Sequence, residues 1–330
     1  LAQKGLWIDD LGISQLHQKL PPVSVQEHKD AFLLMQERML RSGVTAVGEM
    51  SLVQNACMAL RELCLSGEWM LDVQGVLESG RALSQEQEGP SLYRNSIELG
   101  PLDRSAEIQI RHWKMYLDGS LGARTAWLSR AYSDADSFGL SLVPGLSLME
   151  QSSRALRLGF SLSFHALGDA AVDQALDLAT SLAPDLQLHG RASSSLSWAP
   201  TRHRLEHTQV LREDQIFRIR DQGWCLVVQP HHRCSDEAFV QRRLGDRYPA
   251  QCYRAGSLMN AGIPLAWSTD APVDSPSLAQ ILDALETHPE SKERVFKLDA
   301  MWIATRGSRQ SLGLKNDVVR RGSTVFLTEL

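Results

Sequence analysis

The stretch FSLSFHALGDAAVDQALDLATSL, residues 160–182, holds the whole argument for the fold. Its first six residues alternate: Phe160, Leu162 and Phe164 are bulky and apolar, whereas Ser161, Ser163 and His165 are small or polar. A period of two is the mark of a strand with two unlike faces. After Gly168 the period lengthens, and Ala171, Val172, Ala175, Leu176 and Ala179 recur at helical spacing. The stretch therefore reads as one βα unit, with an imidazole at the end of the strand.

The same switch of period recurs along the chain. Strands are predicted at 44–49, 70–77, 108–116, 160–165, 203–207, 224–229 and 264–270, and helices at 25–42, 51–65, 146–158, 170–182, 212–222 and 278–287. Seven such units predict an α/β fold of the TIM-barrel type, (β/α)8, lacking its first strand. A doubly wound open sheet is the alternative, but no G-x-G-x-x-G or G-x-x-x-x-G-K follows any strand. The same absence disfavours a nucleotide-dependent oxidoreductase.

Three segments are too long and polar for plain connectors. Segments 117–144 and 230–255 follow strands and belong at the C-terminal rim, where barrels build their sites; 185–201 reads as a surface insertion. A last helix is expected over 298–312. The chain divides at that point, with 1–312 as the incomplete barrel and 313–330 as a remnant of a small β-sandwich element.

Composition narrows the function. With 43% hydrophobic and 22% charged residues the chain is globular, and 330 residues bury enough surface to fold without disulfides. Lys+Arg 34 against Asp+Glu 39 gives a net charge of −5 with no basic block, so nucleic acid is not an expected partner. No apolar run approaches the roughly 18 residues that span a bilayer. Five scattered cysteines without C-x-x-C read as reduced thiols, which places the chain in the cytoplasm. A single reactive cysteine is the lesser reading.

Four strands each present one ligand-type residue near their C-terminal ends: Lys114, His165, His207 and Asp270. Alternation places Lys114 with Ile110, His112 and Tyr116, His207 with Leu205 and His203, and Asp270 with Ala266 and Ser268. Imidazole and carboxylate suit zinc and related divalent ions. A lysine joins such a set only if burial frees its amine to capture carbon dioxide as a carbamate. Taken singly each residue has a plainer role: a structural histidine, a solvated lysine, a turn aspartate. Convergence of four strand ends is the stronger signal. Glu206 reads as the partner of Arg204, Asp169 as the cap of the helix from Ala170, and Asp118 as a loop brace or a support for the site.

These residues sit in five ordered motifs. Lys114-Met-Tyr-Leu-Asp-Gly-Ser-Leu-Gly-Ala-Arg-Thr-Ala126, His165-Ala-Leu-Gly-Asp169, Arg204-Leu-Glu-His-Thr-Gln209, Val228-Gln-Pro-His231 and Ser268-Thr-Asp-Ala-Pro-Val273 resemble the amidohydrolase superfamily, in its YtcJ-like (amidohydrolase-3) branch. The resemblance implies a metal-dependent hydrolase of C–N bonds other than peptide bonds, with N-substituted amides or formamides as substrates and one or two divalent ions, zinc first. It implies Lys114 as carbamylated ligand, His165 and His207 as ligands, and Asp270 as ligand and general base towards metal-activated water.

His231 and Gln229, and after them Tyr116 and Arg124, are the expected contacts to substrate. The superfamily's His-x-His strand has no counterpart in these 330 residues: His231 and His232 are adjacent and are expected on opposite faces. Together with Leu1 in place of Met, this reads as a piece of a longer frame. An open barrel would leave two sheet edges free for association into homo-oligomers. The competing reading is a non-catalytic barrel with a metal-binding or interaction role.

Overall fold

The computed structural model describes residues 20–50, 52–78, 108–158, 160–182 and 202–313. Seven strands form one sheet: β1 (Ala46–Glu49), β2 (Asp72–Glu78), β3 (Ile108–Tyr116), β4 (Ser161–Ala166), β5 (Arg204–His207), β6 (Cys225–Val228) and β7 (Leu265–Trp267). Each pairs in parallel with its neighbour in chain order, so the sheet curls as a TIM-type barrel does. All seven predicted strands are present. The predicted sandwich remnant and the 185–201 insertion lie outside the described residues.

Helices α1 (Val25–Arg41), α2 (Gln54–Ser66), α3 (Gly145–Arg157), α4 (Asp169–Ser181) and α5 (Glu213–Gln222) follow the predicted spans. Short α6 (His232–Ser235), α7 (Val240–Leu244) and α8 (Ala255–Asn260) lie between β6 and β7. Beyond β7 come α9 (Leu278–Glu286), α10 (Lys297–Trp302), a π-helical turn (Ile303–Gly307) and α11 (Ser308–Ser311). The entry to α1 is set by a capping box, in which Ser24 and Glu27 each satisfy the other's backbone N–H.

The two faces of the sheet are unlike. Leu162, Phe164, Leu205, Leu226, Leu265 and Trp267 face the helices and form the main core with residues such as Leu176 and Ile216. The opposite face is polar yet buried: Asp72, Gln74, His112, Lys114, Ser163, Arg204 and Glu206. Glu206 Oε1 accepts from Ser163 Oγ (2.8 Å) and from Arg204 Nε and Nη2 (2.9 and 2.8 Å), which bears out the expected pair. Buried charge of this kind persists only when paired.

Among the described residues β1 and β7 do not pair, and α11 spans the opening. Trp267 N–H, on the open edge of β7, donates to Ser308 Oγ (3.2 Å), and that hydroxyl donates to Trp267 O (3.3 Å). Arg309 Nη2 reaches Asp72 Oδ2 on β2 at 2.8 Å, and Leu312 packs against Gly48 of β1. The open edge of β7 is thus held by the chain's own last helix, while β1 stays partly exposed. Burial accounts for the inert thiols: Cys57 and Cys225 are free and pushed up to about 12 by desolvation.

The two rim segments pack on each other. Leu121, Ala126, Leu128 and Tyr132 from one meet Val240, Leu244, Cys252 and Tyr253 from the other in a core of their own. Arg247 donates to the Arg130 and Ala131 carbonyls (2.9 and 2.7 Å), and Arg243 to those of Leu121 and Gly122. Together they stand as one cap beside the strand ends.

Candidate metal centre

Lys114 reaches the polar face because strand alternation carries it there, with Trp113 and Met115 turned to the helices. Register sets Tyr116 beside His165 on β4, and His165 beside Glu206 on β5. His165 arrives by the same alternation.

His207 does not. Leu205 faces the helices and Glu206 the interior, so a regular strand would turn His207 outward, on the face that alternation assigned to it. Its backbone instead takes φ 73°, followed by Thr208 at 44°, and the imidazole swings towards His165. The ring centroids stand 4.5 Å apart, edge to face. Asp270, three residues beyond β7, likewise holds φ 53°. Non-glycine residues in the left-handed region are uncommon and cluster at functional sites.

Hydrogen bonds settle which ring nitrogens are bare. His207 Nδ1 donates to Gln229 Oε1 (2.9 Å), leaving the Nε2 lone pair free. His165 Nε2 donates to the Gly119 carbonyl (3.2 Å), leaving Nδ1. A second hydrogen bond that fixes the tautomer in this way is the usual support for a metal-binding histidine. Burial pushes His165 well below the ordinary imidazole value, with the neighbouring His207 and Lys114 adding to the shift. Burial lowers His207 too, against the opposing pull of Asp270.

Lys114 is only 4% exposed. Among the described residues its Nζ makes no hydrogen bond or ion pair; it lies 5.0 Å from the centre of the Tyr116 ring. Desolvation lowers its pKa, offset in part by Glu206 and Asp270. A buried, unpartnered amine is costly as a cation and available as a nucleophile when neutral.

The remaining candidates are placed as follows. Tyr116 packs on His165 with ring centroids 5.1 Å apart. Gln229 is buried, with its carbonyl oxygen committed to His207 and its Nε2 to Val227 O (3.3 Å). Arg124 lies in the cap, where its Nε and Nη2 both bind Asp134 at 3.0 Å. Asp118 is a brace: its carboxylate accepts the N–H groups of Trp127, Leu167 and Gly168, with His165 Nε2 3.8 Å away.

Two expectations are corrected. Asp169 is the first residue of α4 and does not cap it; its carboxylate accepts from Ser129 N and Arg212 Nη1. His231 and His232 do not diverge, because β6 ends at Val228 and His231 is already helical (φ −74°, ψ −17°). Both rings meet Asp274, a residue that strand alternation gave no reason to single out. Removing the acceptor with Gln229→Leu is expected to weaken divalent-ion binding about 10- to 100-fold by freeing the His207 ring. Equilibrium dialysis against Zn(II) measures this, and unchanged affinity would remove Gln229 from the site.

A sequence profile described as Amidohydrolase family matches residues 5–317. The chain belongs to the amidohydrolase family. Within it, the similarity is to the YtcJ-like branch: YtcJ of Bacillus subtilis (strain 168), by name an amidohydrolase, is 30% identical over 162 residues, 49% of this chain and 28% of that protein. Protein LONG AFTER FAR-RED 3 of Arabidopsis thaliana is 31% identical over 193 residues, 58% of this chain and 30% of that protein. An uncharacterized metal-dependent hydrolase from Pyrococcus furiosus superposes with a TM-score of 0.73 at 28% identity, covering 91% of this chain and 58% of that one. The matched segments thus span under a third of the curated relatives. Among the described residues of this amidohydrolase, no helix is long and apolar enough to cross a membrane.

Proposed function

We propose that this amidohydrolase cleaves the C–N bond of N-substituted amides or formamides, with Lys114, His165, His207 and Asp270 holding a divalent ion, zinc first. The observation that carries the reading is the pair of tautomer-fixed imidazoles beside a buried amine without a partner. Those groups fit a cation: two bare ring nitrogens, a carboxylate, and a lysine that becomes an oxygen donor on carbamylation. Bound there, the ion supplies Lewis acidity, lowering the pKa of coordinated water and polarising a carbonyl oxygen.

The chain's own groups do the rest. The neutral Lys114 amine forms an N–C bond to carbon dioxide and releases one proton, giving a carbamate anion with two oxygens. Asp270 takes the proton of the attacking water and hands it to the departing nitrogen, which leaves as amine. Tyr116, packed on His165 and with its ring centre 5.0 Å from Lys114 Nζ, flanks these groups. The test is amine release from a panel of N-formyl and N-acyl amines by zinc-loaded protein. Release that is chelator-sensitive and matched by equimolar acid supports the reading. Equal rates with and without metal overturn it.

A further inference from the structure

We infer that His231, His232 and Asp274 form a second divalent-cation site, separate from the Lys114–Asp270 set. Nε2 of both imidazoles lies 3.9 Å from the same carboxylate oxygen, Asp274 Oδ2, and one ligand atom from each of the three residues falls within 4.8 Å of the others. At 3.9 Å these are not hydrogen bonds.

The rings are buried and unsatisfied. His231 and His232 are 3% and 7% exposed, and neither nitrogen of His231, nor Nε2 of His232, has a hydrogen-bond partner. Buried polar atoms are almost always paired, so two orphaned Nε2 atoms facing one carboxylate oxygen call for a ligand. The carboxylate is itself held, since Ser235 Oγ donates to Asp274 Oδ2 at 2.5 Å. A hydrogen bond of that kind orients a ligating carboxylate.

The ligand is a cation. Burial holds both imidazoles below their ordinary value. His232 adds to the shift at His231 and His207 to that at His232, while the charges of Asp274 and Asp270 pull back on both. Neutral imidazoles beside an anionic carboxylate repel an anion and offer three lone pairs to a metal. Two nitrogens and one oxygen suit Zn(II), Co(II) or Ni(II). A tetrahedral ion with bonds of about 2.1 Å sets its ligands about 3.4 Å apart. Small side-chain rotations close the gap from the present separations and leave one coordination position open.

The experiment strips the protein with chelator and measures bound Zn(II) per chain by equilibrium dialysis with elemental analysis. Wild type, Asp274→Asn, His231→Gln and Asp270→Asn are compared. Asp274→Asn and His231→Gln are each expected to lose one ion, or to bind it at least about 100-fold more weakly, whereas Asp270→Asn retains it. Zinc is also expected to raise the melting temperature of Asp270→Asn, and that rise to vanish in Asp270→Asn/Asp274→Asn. These readouts stand apart from hydrolysis, so a failure of the proposed function leaves them unmoved. Equal ion content and affinity in wild type, Asp274→Asn and His231→Gln overturn the second site. So does an undiminished zinc-induced rise in the double variant.

Discussion

Asp270→Asn is expected to lower kcat about 10²- to 10⁴-fold, the range lost when a positioned acid–base group is removed. Asparagine has nearly the shape of aspartate and tolerates the left-handed conformation that residue 270 holds at φ 53°. The backbone bond from Val273 N–H to Asp270 O is untouched. What goes is the ability to take a proton, together with the negative charge that now acts on Lys114 and His207. Folding, read by circular dichroism, is therefore expected to survive while turnover does not. Activity within threefold of wild type would remove Asp270 from proton transfer.

The metal-free protein is expected to lose stability steeply as pH falls below about 6.5, the ordinary imidazole value. His112 and His207 are buried and the His165 side chain is 15% exposed, and all three are lowered in the fold, in each case first by desolvation. Arg204 adds to the shift at His112, against its hydrogen bond to the Arg202 carbonyl. The sign follows from proton counting. Below about 6.5 the unfolded chain takes up protons that the folded one refuses, so stability is present above that pH and declines as pH drops towards the folded-state values. Each such histidine contributes a slope of up to about 1.4 kcal/mol per pH unit, and three together about 4. Melting temperatures between pH 7.5 and 5.5 measure this. A flat profile would mean that the three rings protonate in place. Bound zinc is expected to shallow the slope, since it favours the same neutral imidazoles.

The pairing of Arg204 with Glu206 shows how far local pattern reaches. Residues i and i+2 of a strand share a face, so opposite charges there were legible as partners. Lys114 and His165 were legible for the same reason, because both lie within regular strand and inherit its alternation. All seven strands and the helices between them follow from the periods of apolar residues, which depend on neighbours in sequence alone.

Legibility ends where the backbone leaves the regular regions. His207 and Asp270 were named from their place at strand ends, yet alternation gave His207 the wrong face, since its turn inward needs φ 73°. The corrections at His231, His232 and Asp169 have the same origin. Each concerns a residue one to three positions outside a strand or at the first turn of a helix. There the side chain's direction is decided by what the loop packs against.

Some roles belong to tertiary structure entirely. Gln229 orients His207 across 22 residues of chain, and Asp274 meets two histidines some 40 residues away only because β6 and β7 are adjacent. The covering of the β7 edge by Ser308, and the joining of the two rim segments through Arg243 and Arg247, likewise depend on docking between distant elements. The sequence by itself determined the βα order, the strand faces and the four residues delivered to one rim, because these rest on short-range periodicity. Tertiary structure decided the tautomers, the bare nitrogens and the second cluster, because a hydrogen bond or a shared carboxylate exists only once separate strands lie side by side.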